Sequence, residues 1–206
     1  MEEGTIVHVD YELYNDESGD LIETTREDVA KEHEMHQEGR TYSPMVCVVG
    51  AGNLIPGFEA ALAEAKVDKE TEISIQPADA YGEKDPQQIE TISIDKLIRS
   101  VQDPNALYLG APVNINNRQG HLSYLAAGRA RIDYNHPMAG KTLKYSFKIV
   151  KVVEGKEEQV MALLESNTGH SDFGVSFDGE DLNIVLPQTM LFETNAAMKK
   201  FRLVTI

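Results

Sequence analysis

Two short motifs contain residue types that serve in the catalytic sites of other proteins. Gly50-Ala51-Gly52 follows an apolar strand, like the opening of a dinucleotide-binding turn. The third glycine of that turn would fall at position 55, where the residue is Ile55, and Pro56 follows it. Asp172-Phe173-Gly174 matches a kinase triplet by letters only, because no glycine-rich loop, strand lysine or catalytic loop accompanies it. The sequence therefore indicates no nucleotide chemistry.

A pair of histidines lies in a polar stretch, with Glu32 and Glu34 beside them. His33 and His36 are three positions apart, so on a helix they would share one side, where a metal ion could bind. The metalloprotease motif needs histidines four positions apart with an intervening glutamate, and this sequence lacks it. A solvated polar face is the favoured interpretation, with a shared metal as the alternative. We expect no metal site and no cofactor.

Aromatic residues occur in two kinds of context. Tyr11, Phe58 and Tyr145 lie on alternating or helical apolar faces, a pattern typical of core residues. Tyr81 stands beside Gly82 in a polar loop, and an exposed aromatic on a loop is more typical of binding than of packing. On the residue pattern alone, Tyr81 is thus the clearest candidate for a binding residue.

Composition and charge exclude several classes of function. The 206 residues include 19 Lys and Arg against 34 Asp and Glu, a formal net charge of -15. Nucleic acid is bound through cationic side chains, and the densest basic stretch, 141–151, alternates with apolar residues as a strand does. With 41% hydrophobic and 26% charged residues, the chain is typical of a globular protein. We expect no nucleic-acid partner.

Three features favour the cytoplasm. No apolar run approaches the roughly 20 residues that span a bilayer. The first residues lack the basic and apolar regions of a secretion signal. The single cysteine, Cys47, cannot form an internal disulfide and lies in an apolar run. We therefore expect a cytoplasmic protein with no membrane partner.

Hydrophobic periodicity predicts mostly strands. Alternating or continuous apolar patterns predict the main strands at 5–14, 21–23, 45–49, 71–76 and 141–153, and shorter ones at 88–93, 112–116, 122–126 and 130–134. Phe58 and Leu62 share one face of a short helix that begins after Pro56. Residues 155–206 have the pattern of a helix-strand-strand-helix module, with its last helix at 196–204.

Four stretches, by their order and spacing, resemble a known family: the strand with Tyr11 followed by Leu21-Ile22-Glu23, then 50–62 (GAGNLIPGFEAAL), 78–85 (ADAYGEKD) and 133–143 (DYNHPMAGKTL). Together they resemble the FKBP-type peptidyl-prolyl cis-trans isomerases, specifically the SlyD-like branch, which has an extra domain inserted in the flap. The resemblance covers about residues 1–154. The polar excursion near the start and the extra module look most like the long archaeal members.

The resemblance implies an α+β fold in three parts. Residues 1–85 and 136–154 would form an antiparallel FKBP-like sheet curved around the short helix. Residues 86–135 would be the inserted, mainly β flap domain. Residues 155–206 would be a small C-terminal α/β module, which resembles a domain that mediates dimerisation in archaeal relatives, so a homodimer through this module is a further expectation.

The resemblance also assigns site residues. Its catalytic positions are Tyr11, Glu23, Ile55, Phe58 and Tyr81, and its substrate-binding positions are Ile22, Met45, Leu54 and Tyr145. Phe58 would form the floor under the proline ring, and the Ile55 N–H and the Tyr81 hydroxyl would donate to substrate carbonyls. Glu23 stands where the family has an Asp.

The implied function is isomerisation of prolyl peptide bonds, coupled to chaperone binding of unfolded Xaa-Pro polypeptides by the inserted domain. The chemistry needs no nucleophile, since an apolar cleft favours the twisted, less polar amide over the planar one. A holding chaperone is the alternative, with an isomerase cleft weakened by Glu23, Met45 and Phe58.

Overall fold

The computed structural model describes residues 1–101, 103–104, 107–170, 172–179, 181–188 and 190. The chain divides into two compact units: unit 1 consists of residues 1–75 with 143–206, and unit 2 of residues 76–142. No helix in the described part of the chain has both the length and the apolar character that crossing a membrane requires.

Unit 1 contains a five-stranded antiparallel sheet in which four strands follow the order β2-β1-β9-β4. The fifth strand, β3, pairs with the first half of β1, and β2 pairs with its second half. Its strands are β1 (Ile6–Asn15), β2 (Leu21–Thr24), β3 (Met45–Val48), β4 (Glu70–Ile75) and β9 (Leu143–Val152). Helices α1 (Glu27–Glu32) and α2 (Pro56–Glu64) belong to the same part of unit 1 as this sheet. The α+β class and the antiparallel sheet predicted from the sequence are confirmed.

The two longest strands form the core of this sheet because their apolar residues alternate. Strand β9 buries Leu143, Tyr145 and Phe147, and β1 buries alternate residues in the same way. Helix α2 begins with Pro56 at its first position, where a missing N–H costs no hydrogen bond. Its Phe58 and Leu62, four residues apart, are both buried, so the helix packs against the sheet as its spacing predicts.

In its described residues, unit 2 contains a four-stranded antiparallel sheet in the order β5-β8-β7-β6 and one α-helix. Its elements are β5 (Ile89–Ser93), α3 (Ile94–Ser100), β6 (Pro112–Ile115), β7 (Arg118–Ala126) and β8 (Arg129–Asp133). The Ser93 hydroxyl caps α3 by accepting a hydrogen bond from the Lys96 N–H at 3.2 Å. The predicted inserted domain, 86–135, falls within unit 2, and its boundaries stay a prediction.

One glycine is required by the packing of unit 2. A Cβ added at Gly120 would lie 2.7 Å from the Tyr134 ring and 2.8 Å from the Asp133 carbonyl oxygen. Any side chain there would displace backbone of β8, so this position of β7 has room for glycine alone.

The C-terminal part of unit 1 has a helix and a hairpin. Helix α4 (Lys156–Thr168) ends at Gly169, whose left-handed conformation terminates it, and β10 (Gly174–Asp178) pairs antiparallel with β11 (Asp181–Val185). Leu164, Phe173 and Met190 form a small buried cluster between them. The helix and the two strands predicted for 155–206 are present, and the predicted last helix, 196–204, lies outside the described residues.

Candidate active site

Four aromatic rings from three elements of unit 1 meet in one cluster. The Phe58 ring of α2 stacks on the Tyr145 ring of β9 with centroids 4.5 Å apart, and it meets Phe147 edge-on at 5.1 Å. Tyr11 of β1 lies 5.9 Å from Tyr145 and 6.3 Å from Phe58. Tyr11 pairs with Phe147 in the sheet register, so strand alternation directs both rings toward the helix. All four rings are buried, so the aromatic cluster is a packed apolar layer.

Phe58 lies deepest in the aromatic cluster, with 1% of its surface exposed. The four residues predicted as walls or donors around it, Ile22, Met45, Leu54 and Ile55, are each half-buried. Met45 pairs with Val9 of β1, two residues before Tyr11. A ligand at this surface would therefore contact the half-buried side chains and rest on the rings beneath them.

A buried phenol, a carboxylate and a guanidinium are linked at the edge of the cluster. Burial and the neighbouring Glu23 carboxylate, to which it is hydrogen-bonded, raise the pKa of Tyr11 above its ordinary range. The Glu23 carboxylate also pairs with the Arg40 guanidinium at 3.4 Å, and Arg40 donates to the Thr24 carbonyl oxygen at 3.4 Å. Tyr11 thus remains an O–H donor at neutral pH, and it orients Glu23 together with Arg40.

The residue before α2 presents a backbone donor. Ile55 has an extended conformation at the N-cap of α2, and its carbonyl oxygen accepts from the Phe58 and Glu59 N–H groups at 3.0 and 3.1 Å. Within the described part of the chain, nothing accepts a hydrogen bond from the Ile55 N–H itself. This N–H is the kind of donor that binds a carbonyl oxygen from a ligand.

A second set of contacts lies in unit 2 and surrounds Tyr81. The Tyr81 ring stacks on the His136 imidazole with centroids 4.2 Å apart and planes 4° from parallel. The Met138 N–H donates to Nδ1 of His136 at 3.2 Å, which fixes the ring. The Gly140 N–H donates to the Gly82 carbonyl oxygen at 2.8 Å. Two loops that are distant in sequence therefore hold Tyr81, whose side chain is 38% exposed.

Asn135 and Asp133 fasten these two loops further. Asn135 exchanges two hydrogen bonds with the Asp85 backbone, at 2.9 and 3.0 Å. The buried Asp133 carboxylate binds the Lys84 ammonium at 2.7 Å and the Asn135 amide at 2.8 Å. Burial opposes ionisation, but the hydrogen bonds from Lys84 and Asn135 outweigh it and lower the pKa of Asp133. This carboxylate is therefore ionised at neutral pH, and its pairing with Lys84 holds the loop that follows Tyr81.

Comparison with known proteins connects these features to a family. A family model described as FKBP-type peptidyl-prolyl cis-trans isomerase matches residues 1–97. The short-type peptidyl-prolyl cis-trans isomerase of Methanocaldococcus jannaschii is 31% identical over 158 residues, covering 77% of this chain and 98% of that protein. The chain belongs to the FKBP-type peptidyl-prolyl cis-trans isomerases.

Bacterial relatives place this FKBP-type isomerase in the SlyD-like branch. The SlyD isomerase of Helicobacter pylori is 26% identical over 171 residues, covering 83% of this chain and 82% of that protein. The SlyD isomerase of Treponema pallidum is 28% identical over 166 residues, covering 80% of this chain and 86% of that protein. The family predicted from the sequence is confirmed, whereas the finer likeness to long archaeal members stays a prediction.

Contacts in the structure of this FKBP-type isomerase join four of the predicted site residues, Tyr11, Glu23, Phe58 and Tyr145. Ile55 is at the start of the same helix as Phe58, and Ile22 precedes Glu23 on β2. Tyr81 belongs to unit 2. The roles assigned to all nine residues stay predictions.

Three residues of interest were missed by the sequence reasoning. Phe147 lies two positions after Tyr145 on the same strand face, so alternation alone would have found it. Arg40 lies in a polar stretch with no periodic signal, and only the structure shows its pairing with Glu23. His136 lies in a stretch without a periodic signal, and its stacking on Tyr81 is visible only in three dimensions.

His33 and His36 contact other side chains, and Cys47 is buried. His36 stacks on Tyr42 at 5.5 Å and faces Glu27 at 3.4 Å, and His33 meets the Tyr14 ring edge-on at 5.8 Å. Burial, with a smaller effect of the Glu59 charge, raises the pKa of the Cys47 thiol to about 12. Cys47 is therefore a protonated core residue at neutral pH.

Proposed function

We propose that this isomerase acts on Xaa-Pro bonds at the aromatic cluster of unit 1, and that unit 2 captures unfolded polypeptides. The aromatic cluster, with Phe58 as its base, is the observation that supports isomerisation at unit 1. A prolyl bond crosses a barrier of roughly 18–20 kcal/mol because twisting breaks amide resonance. The twisted amide carries less charge on its oxygen than the planar one, so an apolar surface lowers the barrier. Each 1.36 kcal/mol removed gives about a tenfold faster reaction.

Each unit offers one candidate donor to the substrate backbone. The Ile55 N–H has no acceptor within the described residues, and the Tyr81 hydroxyl is on an exposed side chain. A hydrogen bond from either donor to a substrate carbonyl would fix the chain beside the proline, so that rotation is confined to one bond. Glu23, oriented by Tyr11 and Arg40, would supply a fixed negative charge at the cleft edge.

Exposed apolar residues support a chaperone role for unit 2. Tyr108 and Leu109 are 64% and 65% exposed, and Ile98 and Tyr124 are exposed as well. Strands β5 and β6 are the two edges of the sheet, and unpaired edge groups accept an added strand. Exposed apolar area and open edges are features that bind unfolded segments. Dimerisation through 155–206 and a cytoplasmic location stay predictions.

The first experiment measures exchange between cis and trans isomers of a short Xaa-Pro peptide by NMR, with catalytic amounts of protein. We expect acceleration that falls roughly 3- to 10-fold in Tyr81→Phe, which loses one hydrogen bond and keeps the ring. Tyr81→Ala also loses the stacking partner of His136 and is expected to be slower still. An intact protein that gives no acceleration would favour the holding chaperone with an inactive cleft.

A second variant tests how Tyr81 is held. We expect His136→Ala to lower kcat/KM for the short peptide about as much as Tyr81→Phe does, because the Tyr81 hydroxyl loses its fixed position. His136→Phe preserves a flat ring for stacking and should retain most of the activity. In a Tyr81→Ala background, His136→Ala should have no further effect, whereas a further additive loss would show that His136 acts independently of Tyr81.

A further inference from the structure

The charge of this chain is distributed unevenly between its two units. The formal net charge is -15, and all of it belongs to the residues of unit 1. The residues of unit 2 include seven acidic and seven basic side chains, so they sum to zero. Unit 2 is therefore the part of the chain that an anionic polypeptide can approach with the least repulsion.

The two faces of the sheet in unit 2 differ sharply. The inner face packs on Leu97 of α3 through a cluster of buried apolar residues, which includes Ile92, Leu122, Ala130 and Ile132. The opposite side, which we name the outer face, includes the exposed residues Thr91, Ser93, Tyr124, Ala126, Arg129 and Arg131. Two of these six residues are cationic and none is acidic.

The strand register arranges the outer face in two rows. Arg131 lies opposite Thr91 on one neighbouring strand and Tyr124 on the other, and Arg129 lies between Ser93 and Ala126 in the same way. The two arginines are two positions apart on β8, so they point to one side at a spacing of roughly 6.6–6.8 Å along the strand. An extended polypeptide has the same spacing between alternate side chains.

The two arginine charges are not neutralised within the described part of the chain. Neither Arg129 nor Arg131 takes part in an ion pair there. Arg131 lies over the Tyr124 ring, 5.3 Å from its centroid, which holds the guanidinium against the sheet. The acid that follows on β8, Asp133, is already bound to Lys84 at 2.7 Å. The outer face is therefore a fixed cationic surface with one aromatic ring.

We propose that the outer face binds acidic, extended segments of unfolded polypeptides, with carboxylates at alternate positions facing Arg129 and Arg131. The inference rests on the proposed chaperone function of unit 2 and specifies the chemistry of the client. The hydroxyls of Thr91 and Ser93 lie beside the arginines as further donors to those carboxylates. The acidic unit 1 repels such segments, and the outer face gives them a place to bind.

A polypeptide fits this surface better than a single-stranded nucleic acid does. Nucleic-acid platforms stack successive bases on several open aromatic rings and neutralise one phosphate per nucleotide. The outer face offers one ring, Tyr124, whose face is already occupied by Arg131. A long polyanion would also meet the repulsion of a chain with net charge -15. A short run of carboxylates needs only the two arginines.

The test measures binding of three labelled, proline-free peptides to the full chain by fluorescence anisotropy. The peptides have the same length and the same apolar residues, alternating with Glu, Gln or Lys. Two exposed ion pairs are expected to make the Glu peptide bind roughly 3- to 30-fold more tightly than the Gln peptide at low salt. The preference should disappear at high salt, because exposed charges are screened.

Charge-reversal variants identify the surface. Arg129→Glu, alone and with Arg131→Glu, should abolish the preference for the Glu peptide and leave Gln-peptide binding within about twofold. Arg99→Glu is the matched control, since it makes the same change of charge on α3, which packs on the inner face. Isomerisation of a short Xaa-Pro peptide should be unchanged in all these variants, and their retained binding of the Gln peptide verifies that unit 2 is folded.

Each other outcome overturns a specific statement. Equal affinities for the Glu and Gln peptides would refute the acidic-client inference and leave the chaperone proposal standing. Absence of binding by all three peptides would refute both. An equal effect of Arg99→Glu would show that net charge, rather than the outer face, determines the preference. Tighter, arginine-dependent binding of a single-stranded oligonucleotide would assign the surface to nucleic acid.

Discussion

Replacing residues 86–134 with a short glycine-serine linker is expected to separate the two activities of this isomerase. The variant should isomerise short Xaa-Pro peptides at nearly the rate of the intact chain. On an unfolded protein whose refolding is limited by prolyl isomerisation, kcat/KM should fall roughly 10²-fold or more. The reason is that a tethered capture site raises the local concentration of the client at the prolyl cleft by such factors.

The structure supports this choice of cut sites. Asp85 and Asn135 exchange two hydrogen bonds, so a short linker can join them. The cut removes Asp133, and the loop after Tyr81 is then held by these two bonds and by the bond from the Gly140 N–H to the Gly82 carbonyl oxygen. The cut retains Tyr81 and His136 with their stacking contact. Refolding rates followed by fluorescence, beside peptide exchange rates by NMR, give the two readouts. An equal loss on peptide and protein substrates would contradict the division of labour.

A full-length variant is the control for damage caused by the deletion. Tyr108→Ser with Leu109→Ser removes two large exposed apolar side chains and leaves the buried cluster of unit 2 intact. We expect this variant to lower activity on the unfolded protein in the same direction, by a smaller factor, and to leave peptide activity unchanged. Unchanged activity on the unfolded protein would show that other parts of unit 2 capture the client.

Phe58→Ala is the point substitution with the largest expected effect. Phe58 is fully buried and contacts the rings of Tyr11, Tyr145 and Phe147. Removing it creates a cavity and should lower the free energy of unfolding by about 3–5 kcal/mol, measured by urea denaturation. We expect kcat/KM for a short peptide to fall roughly 10²-fold, since the floor of the cleft is gone, which corresponds to about 2.7 kcal/mol.

A conservative replacement distinguishes loss of the floor from loss of stability. Phe58→Leu keeps an apolar side chain at the base of the cleft, and it should cost about 1 kcal/mol of stability. Its activity should lie between those of the intact protein and Phe58→Ala when all three are assayed well below their unfolding temperatures. Normal activity in folded Phe58→Ala would show that this residue serves the core alone.

Periodicity in the sequence was sufficient for most of the elements that build the site. Strand β9 and helix α2 were found because alternate residues, or residues four apart, are apolar wherever one side of an element is buried. Tyr81 was recognised by its polar context, which is also a local signal. The predicted helix at 196–204 lies outside the described residues and stays untested.

Contacts between loops have no comparable signal in the sequence. Arg40 meets Glu23 because the segment between β2 and β3 returns to β2. A polar loop sequence carries no periodicity that reveals such a path. Tyr81 and His136 are likewise neighbours only because both ends of the intervening chain return to one place. Such pairings depend on the path that each loop follows. The residue pattern within a loop does not specify that path.

By itself, the sequence determined the family, the order of the strands along the chain, the apolar faces of β1, β9 and α2, and the net charge. The family follows from the resemblance of four stretches to a known family, and the other properties follow from local spacing and composition. The tertiary structure decided which apolar residues of unit 2 are buried, such as Leu97, and which are exposed, such as Leu109. It also put Thr91 and Tyr124 beside Arg131 on the outer face, because strand register, and not sequence distance, determines which side chains become neighbours across a sheet.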